Sequence, residues 1–158
     1  MALINPYIHF NGNAEEAFTF YKSVFGGEFE KIARYKDISG PEYPIPENDV
    51  NRIMHIALPI GKGTVLLGSD CLSIMGKVTE NDNRNTVFIS AESMEEANKL
   101  FNGLAADGKV EMPITLGPWG NYFGMFADKF GVQWMVNYDT KNNGQKLTEE
   151  KQRTANIK

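Results

Sequence analysis

Asn13-Ala14-Glu15-Glu16-Ala17 returns 80 residues later as Ser93-Met94-Glu95-Glu96-Ala97. Each stretch reads as a helix start. A short polar residue, Asn13 or Ser93, stands at the N-cap with a glutamate three residues on, the pattern in which side chains satisfy the free N–H groups of the first turn. The glutamate pairs also suit the positive end of the helix dipole. At the same offset two apolar stripes follow: Ala17, Phe20, Tyr21, Val24 and Phe25, then Ala97, Leu100, Phe101, Leu104 and Ala105. Spacings of three and four put each stripe on one helix face, which predicts that both helices bury that face on a sheet. Gly26-Gly27 ends the first helix and Asp107-Gly108 the second.

Strand-like runs flank both helices. Asn5–Phe10 and Asn85–Ala91 precede them. Phe29–Tyr35, Arg52–Pro59 and Thr64–Gly68 follow the first, and Lys109–Leu116, Tyr122–Ala127 and Val132–Asn137 follow the second. Gly61-Lys62-Gly63 and Asp128-Lys129-Phe130-Gly131 read as the turns between the last two strands of each half. The chain is therefore an α+β fold of two tandem βαβββ modules, the first about residues 3–70 and the second about 84–138, within one domain of residues 1–140. Two long loops, Asp37–Val50 and Cys71–Asn83, interrupt the pattern. The segment 141–158 is a polar C-terminal tail without a sustained apolar stripe.

Composition narrows the function classes. The 158 residues carry a net charge of −4, with no basic stripe, which argues against a nucleic-acid partner. No apolar run approaches the length needed to cross a membrane. The single cysteine, Cys71, allows no intrachain disulfide, and with no signal peptide in view the expected location is cytoplasmic.

Three stretches carry a resemblance: "NPYIHFNGNAEEAFTFYKSVFGGE" (Asn5–Glu28), "HIALPIGKGTVLLGSD" (His55–Asp70) and "GPWGNYFGMFADKFGVQWMVN" (Gly117–Asn137). The chain resembles the PhnB-like branch of the vicinal oxygen chelate (glyoxalase/bleomycin-resistance/dioxygenase) superfamily over about residues 3 to 138. The resemblance implies curled mixed sheets that form a cleft, and a homodimer. Proteins of this branch often carry a demethylubiquinone methyltransferase label. A nucleotide-type glycine loop should follow a strand and open a helix, whereas Gly26-Gly27 closes one.

Metalloenzymes of the superfamily draw four His, Glu or Gln ligands from the first and last strands of each module. Aligning the helix starts sets Pro6 and Thr86 at the first-strand positions. Aligning the turns, at an offset of 67, sets Met135 and Leu67 or Gly68 at the last-strand positions. These residues cannot build a hard nitrogen and oxygen cage, so no metal and no other cofactor is expected. A slip of one residue brings in Tyr7. A slip of three brings in His9, which strand alternation would turn to the other face, covered by the helix or by a subunit neighbour.

What remains to line a site is aromatic and polar. Trp119, Tyr122, Phe123 and Trp134 gather in the second module, where aromatics of this kind also fill cores. Trp119, between Pro118 and Gly120, is a candidate stacking surface, with Tyr122 beside it. Thr86, Gln133, Met135 and Asn137 share one face by period-two spacing, so Thr86, Gln133 and Asn137 are candidates to orient a ligand. His55 and Asp70 are the candidate acid–base pair of the first module. The expected function is a non-metal small-molecule-binding protein with an aromatic cleft. The alternative is a metal-dependent lyase, isomerase or dioxygenase that acts on a small oxygen-rich metabolite through an atypical site.

Overall fold

A computed structural model describes residues 1–61 and 63–141. The chain divides after Thr79 into two compact units. In the first, β1 (Tyr7–Phe10) leads into α1 (Ala14–Phe25), followed by β2 (Lys31–Arg34), β3 (Ile53–Ile60) and β4 (Thr64–Asp70). In the second, β5 (Val87–Ser90) leads into α2 (Met94–Leu104), then β6 (Lys109–Leu116), β7 (Asn121–Ala127) and β8 (Gln133–Asp139). The sheets have the same order, β1-β4-β3-β2 and β5-β8-β7-β6. In each, the first strand pairs parallel with the last, and the other neighbours are antiparallel. The sheets curl without closing. The βαβββ reading of both halves is therefore what the chain adopts.

Each helix covers one face of its own sheet. On α2 the buried set is Ala97, Leu100, Phe101 and Leu104, four of the five residues of the sequence stripe. On α1 the buried set is Ala14, Ala17, Phe18 and Tyr21. Phe18 thus replaces Phe20 on the inner face, and Phe20, Val24 and Phe25 are half-buried. Gly68 on β4 explains the rotation. A Cβ there would lie 2.5 Å from Phe18 Cε2, so the missing side chain is the space the ring occupies. Gly124 on β7 does the same for Phe101, at 2.6 Å from its Cε2. Around these rings sit the edge-on pairs Phe10–Phe18 and Phe101–Phe126.

The two helix starts differ. Ser93 caps α2 as expected: its Oγ accepts from Glu96 N–H at 3.0 Å, and Glu96 Oε2 accepts from Glu92 N–H at 2.6 Å. Asn13 makes no side-chain cap on α1. Asp70, arriving from the end of β4, takes its place and accepts from Ala14 N–H at 2.9 Å and Gly12 N–H at 3.0 Å. At the other end Gly26 forms the C-cap of α1 at φ 79°, a left-handed backbone that glycine adopts without strain. The helix of the second unit stops at Leu104, before Asp107-Gly108.

The polar tail assigned to residues 141–158 lies, beyond Lys141, outside the described residues. The loops at 37–50 and 71–83 carry short 3-10 turns, at Glu47–Asp49 and Ser73–Met75. Asp49, fully enclosed, ties them together by accepting from the Ser73 hydroxyl at 2.6 Å and the Ser73 N–H at 2.9 Å. Arg52 Nε lies 3.0 Å from the other carboxylate oxygen, an ion-pair contact without hydrogen-bond alignment.

Candidate functional site

Because each helix covers one face of its sheet, the opposite face is where side chains are left for ligands. Strand alternation assigns the residues. In the first sheet Gly68 and Phe10 turn toward Phe18 of α1, so Tyr7 and His9 on β1 turn the other way. The ladder pairs Tyr7 with Leu67 and His9 with Ser69, and it pairs Ala57 with Leu67 and Lys31 with Ala57. The antiparallel register of β3 and β4, carried one residue on, sets His55 opposite Ser69. A row therefore runs His9–Ser69–His55 across three strands of the helix-free face.

The rings on this row touch. His9 Nδ1 and Ser69 Oγ are 3.2 Å apart, and Tyr7 Oη and His55 Nδ1 are 3.5 Å apart. The Tyr7 ring centroid lies 5.2 Å from that of His9 and 5.9 Å from that of His55. His9 is exposed and Tyr7 is 42 % exposed, while Ser69 is buried as the floor between the imidazoles. Strand alternation turns His9 away from Pro6, as expected, but the ring stands exposed on the helix-free face, and the expectation that the helix covers it is corrected here. The β1–α1 and β5–α2 connections are equally long, residues 11–13 and 91–93, yet the ladders put Ile8 with Gly68 on the helix side and Phe88 with Met135 on the helix-free side. The helix-start alignment is thus out of phase by one residue on β1, and Pro6 falls on the helix side.

Asp70 is on the opposite face from His55. It is 2 % exposed, and its second oxygen accepts from Ile53 N–H at 2.9 Å, so three backbone donors converge on one carboxylate. Its position fits it to anchor β4, β3 and α1, and the structure does not bring it to the imidazole. Beside it, a polar pocket of about 360 Å³ includes Asn11, Glu15, Arg34 and Arg52 in its lining. The cations there are already engaged: Arg34 with Glu15 at 2.7 Å and the Asn51 carbonyl at 2.9 Å, and Arg52 with Asp49 and the Cys71 carbonyl at 2.6 Å. Tyr35 donates to the Asp70 carbonyl at 2.8 Å. Burial pushes its phenol above the ordinary value, and the nearby Cys71, Tyr7, Asp70 and Asp49 add to the rise.

In the second sheet, Gly124, Phe126, Trp134 and Val136 face α2, as contacts and pairing show. Gln133, Met135 and Asn137 therefore share the helix-free face, with Phe123 and Met125 opposite them. Phe88, Met135, Met125 and Met112 form a row across all four strands. Phe88 is 55 % exposed and Met112 44 %. Asn137 is half-buried, and Gln133 is buried near the β7–β8 turn. Thr86 is exposed, one residue before β5, in phase with Phe88. Tyr122 turns instead to the helix, where its hydroxyl donates to Asn98 Oδ1 at 2.6 Å. Trp119 stands 80 % exposed in the β6–β7 turn. Trp134 is core, and its Nε1 donates to Asp128 Oδ2 at 2.8 Å.

The donor set does not fit a four-ligand metal centre of the superfamily kind. On the helix-free faces the first and last strands offer Tyr7, His9, Val65, Leu67, Ser69, Phe88, Ser90, Gln133, Met135, Asn137 and Asp139. One imidazole on the first sheet and one carboxylate, Asp139, at the end of the second, among hydroxyls, amides and apolar groups, fall short of a four-ligand cage for a divalent ion. Among the described residues no three His, Cys, Asp or Glu side chains gather where they could hold one. Nor is any described helix long and apolar enough to cross a membrane.

Known proteins share this frame. Protein YjdN of Escherichia coli (strain K12) is 28% identical over 137 residues, covering 85% of this chain and 93% of that one. The crystal structure of PA1353 from Pseudomonas aeruginosa matches with a TM-score of 0.75 and 37% identity, over 88% of this chain and 98% of that one. The PhnB protein from Bacillus cereus matches with a TM-score of 0.66 and 29% identity, over 87% and 99%. The family profile that matches residues 3–136 agrees with the duplicated fold, and the chain belongs to the Glyoxalase/Bleomycin resistance protein/Dioxygenase superfamily.

Proposed function

We propose that this protein binds a small organic molecule on the helix-free faces of its sheets without a resident metal. The observation that carries the reading is the contrast between the faces. The helix sides are closed by Phe10, Phe18, Phe101, Phe126 and Trp134, whereas the other sides keep Tyr7, His9, Phe88 and Met112 exposed. Exposed rings and thioethers beside a few polar groups are the usual lining of a small-molecule site. Gln133 and Asn137 are the polar groups of the second sheet, and His55 with Ser69 those of the first. A homodimer, which the family resemblance implies, belongs to the same proposal and is read by sedimentation of the full chain.

The experiment is a thermal-shift screen of metabolite mixtures on chelator-treated protein. A ligand that selects the native state raises the melting temperature by mass action. A concentration-dependent rise that persists in chelator supports the proposal. A rise that appears only after a divalent ion is restored would replace it with the metal-dependent enzyme reading.

A further inference from the structure

We infer that the helix-free face of the first sheet takes a small organic anion, its carboxylate or phosphate oxygens held by His9 and His55 with Lys31 supplying charge. This rests on the small-molecule-binding reading and names the ligand class for one of its faces.

Charge distribution is the first argument. The four strands of this sheet contain one acid, Asp70, and it turns to the helix side. Their one arginine, Arg34, also turns there, to Glu15 on α1. The helix-free face is left with Lys31, His9 and His55 as its ionisable nitrogen groups and with no strand carboxylate. That is a local reversal in a chain of net charge −4. Lys31 is exposed and forms no ion pair among the described residues. It sits diagonal to His55 through the Ala33–His55 and Lys31–Ala57 pairs, about 7–8 Å away by sheet geometry.

Donor placement is the second. Ser69 and Tyr7 place their hydroxyls on the Nδ1 atoms of His9 and His55. Where the hydroxyl donates to Nδ1 a neutral imidazole carries its proton on Nε2, and a protonated ring carries one on both nitrogens, so in these two states Nε2 is the donor available to a ligand. No partner for either Nε2 is found among the described residues. The floor between the rings is small, Ser69 and Ala57, which leaves room for a ligand group. The Tyr7 ring, in contact with both imidazoles, offers the flat surface for the carbon part of the ligand. Tyr35, pushed upward in pKa by burial, brings no competing anion near neutral pH.

Imidazole spectra of the labelled full chain test this with four probes: benzoate, inorganic phosphate, benzamide and benzylammonium. Benzoate or phosphate should shift the His9 and His55 resonances saturably, and the tighter of the two assigns a carboxylate or a phosphate ligand. Benzamide and benzylammonium should bind at least about tenfold more weakly, since they forgo the charge-assisted hydrogen bonds. Calorimetry should show the His9→Gln/His55→Gln double variant losing about tenfold in anion affinity. Lys31→Gln, an exposed strand substitution that leaves the fold intact, should lose about threefold. Benzamide or benzylammonium binding this face as tightly as benzoate overturns the anion class and leaves the binding reading standing. No probe moving either imidazole overturns the anion class, and the failure extends to the binding reading if the metabolite screen is also blank.

Discussion

The two modules share strand order and pairing sense, yet they treat their two faces differently. On the helix side both use the same device, a strand glycine beneath a helix phenylalanine, Gly68 under Phe18 and Gly124 under Phe101. Both also bury an aspartate that gathers donors: Asp70 three backbone N–H groups, Asp128 the N–H groups of Phe130 and Val132 and the indole of Trp134. On the helix-free side the resemblance stops. The first sheet has Tyr7, His9, His55 and Lys31, and the second has Phe88, Met112, Met125 and Met135. The core side is constrained by close packing in both halves. The other side is free to diverge, and that is where ligand chemistry belongs.

The comparison can be broken at the buried aspartate first. Asp70→Ala strands three backbone donors, and at roughly 1–3 kcal/mol for each unsatisfied group it should cost at least about 3 kcal/mol in a urea melt. Asn137→Ala, at the register-matched place on β8, should cost under about 1 kcal/mol, because its side chain faces away from the helix. Equal losses would mean that the two strand ends do the same work.

Next come the glycines. Gly68→Ala and Gly124→Ala should each destabilise by about 1–3 kcal/mol through overpacking. Gly124 should be the worse site, because its new Cβ also meets the Ile114 backbone N and Cα at 2.9 Å, and backbone cannot swing aside as a ring can. A smaller loss at Gly124 than at Gly68 would show that β6 yields there.

The helix caps give a finer contrast. Ser93→Ala removes a working cap and should cost about 1 kcal/mol, while Asn13→Ala should cost no more than a few tenths of a kcal/mol. The reverse order in thermal melts would return the capping role to Asn13.

The smallest expected effect is a pH signature confined to the first module. The Ser73 hydroxyl, and after it the Ser73 N–H and Arg52, hold the Asp49 carboxyl below the ordinary carboxylate range against the penalty of burial. Its folded value lies below its unfolded one. The stability it contributes is therefore complete above the unfolded carboxylate range and is lost as pH falls through the folded value. Stability curves of wild type and Ser73→Ala should converge toward acid and separate above about pH 5. Parallel curves across that window would remove the linkage.

Local signals in the sequence were enough to read the duplicated frame. Matching helix starts, the α2 stripe and the turn at 128–131 depend on short-range periodicity and fall where the fold has them, while on α1 the stripe is rotated to bring Phe18 inward in place of Phe20. Asp70 as the cap of α1 was not legible, because its partners Gly12 and Ala14 lie 58 and 56 residues away in the chain. Asn13, adjacent and of the right type, offered a local answer that the tertiary structure overrides. The side taken by His9 was equally hidden. A four-residue strand reading Tyr-Ile-His-Phe has a ring on both faces, and only contact with Phe18 decides which is inner. The His9–Ser69–His55 row needed the ladder registers, although both histidines and Ser69 were plain in the sequence. For the second sheet, period-two spacing did set Gln133, Met135 and Asn137 on one face, and the same rule places Tyr122 with the core-facing Phe126.

The seven methionines make the central claim directly measurable. Met112, Met125 and Met135 report on the helix-free face of the second sheet, His9 and His55 on that of the first, and Met94 on the exposed side of α2. Methyl and imidazole spectra of chelator-treated protein, titrated with a ligand from the screen, should show saturable shifts in one or both helix-free sets and none at Met94. Shifts centred on Met94, with the Met125 and Met135 methyls and both imidazoles unmoved, would contradict the account.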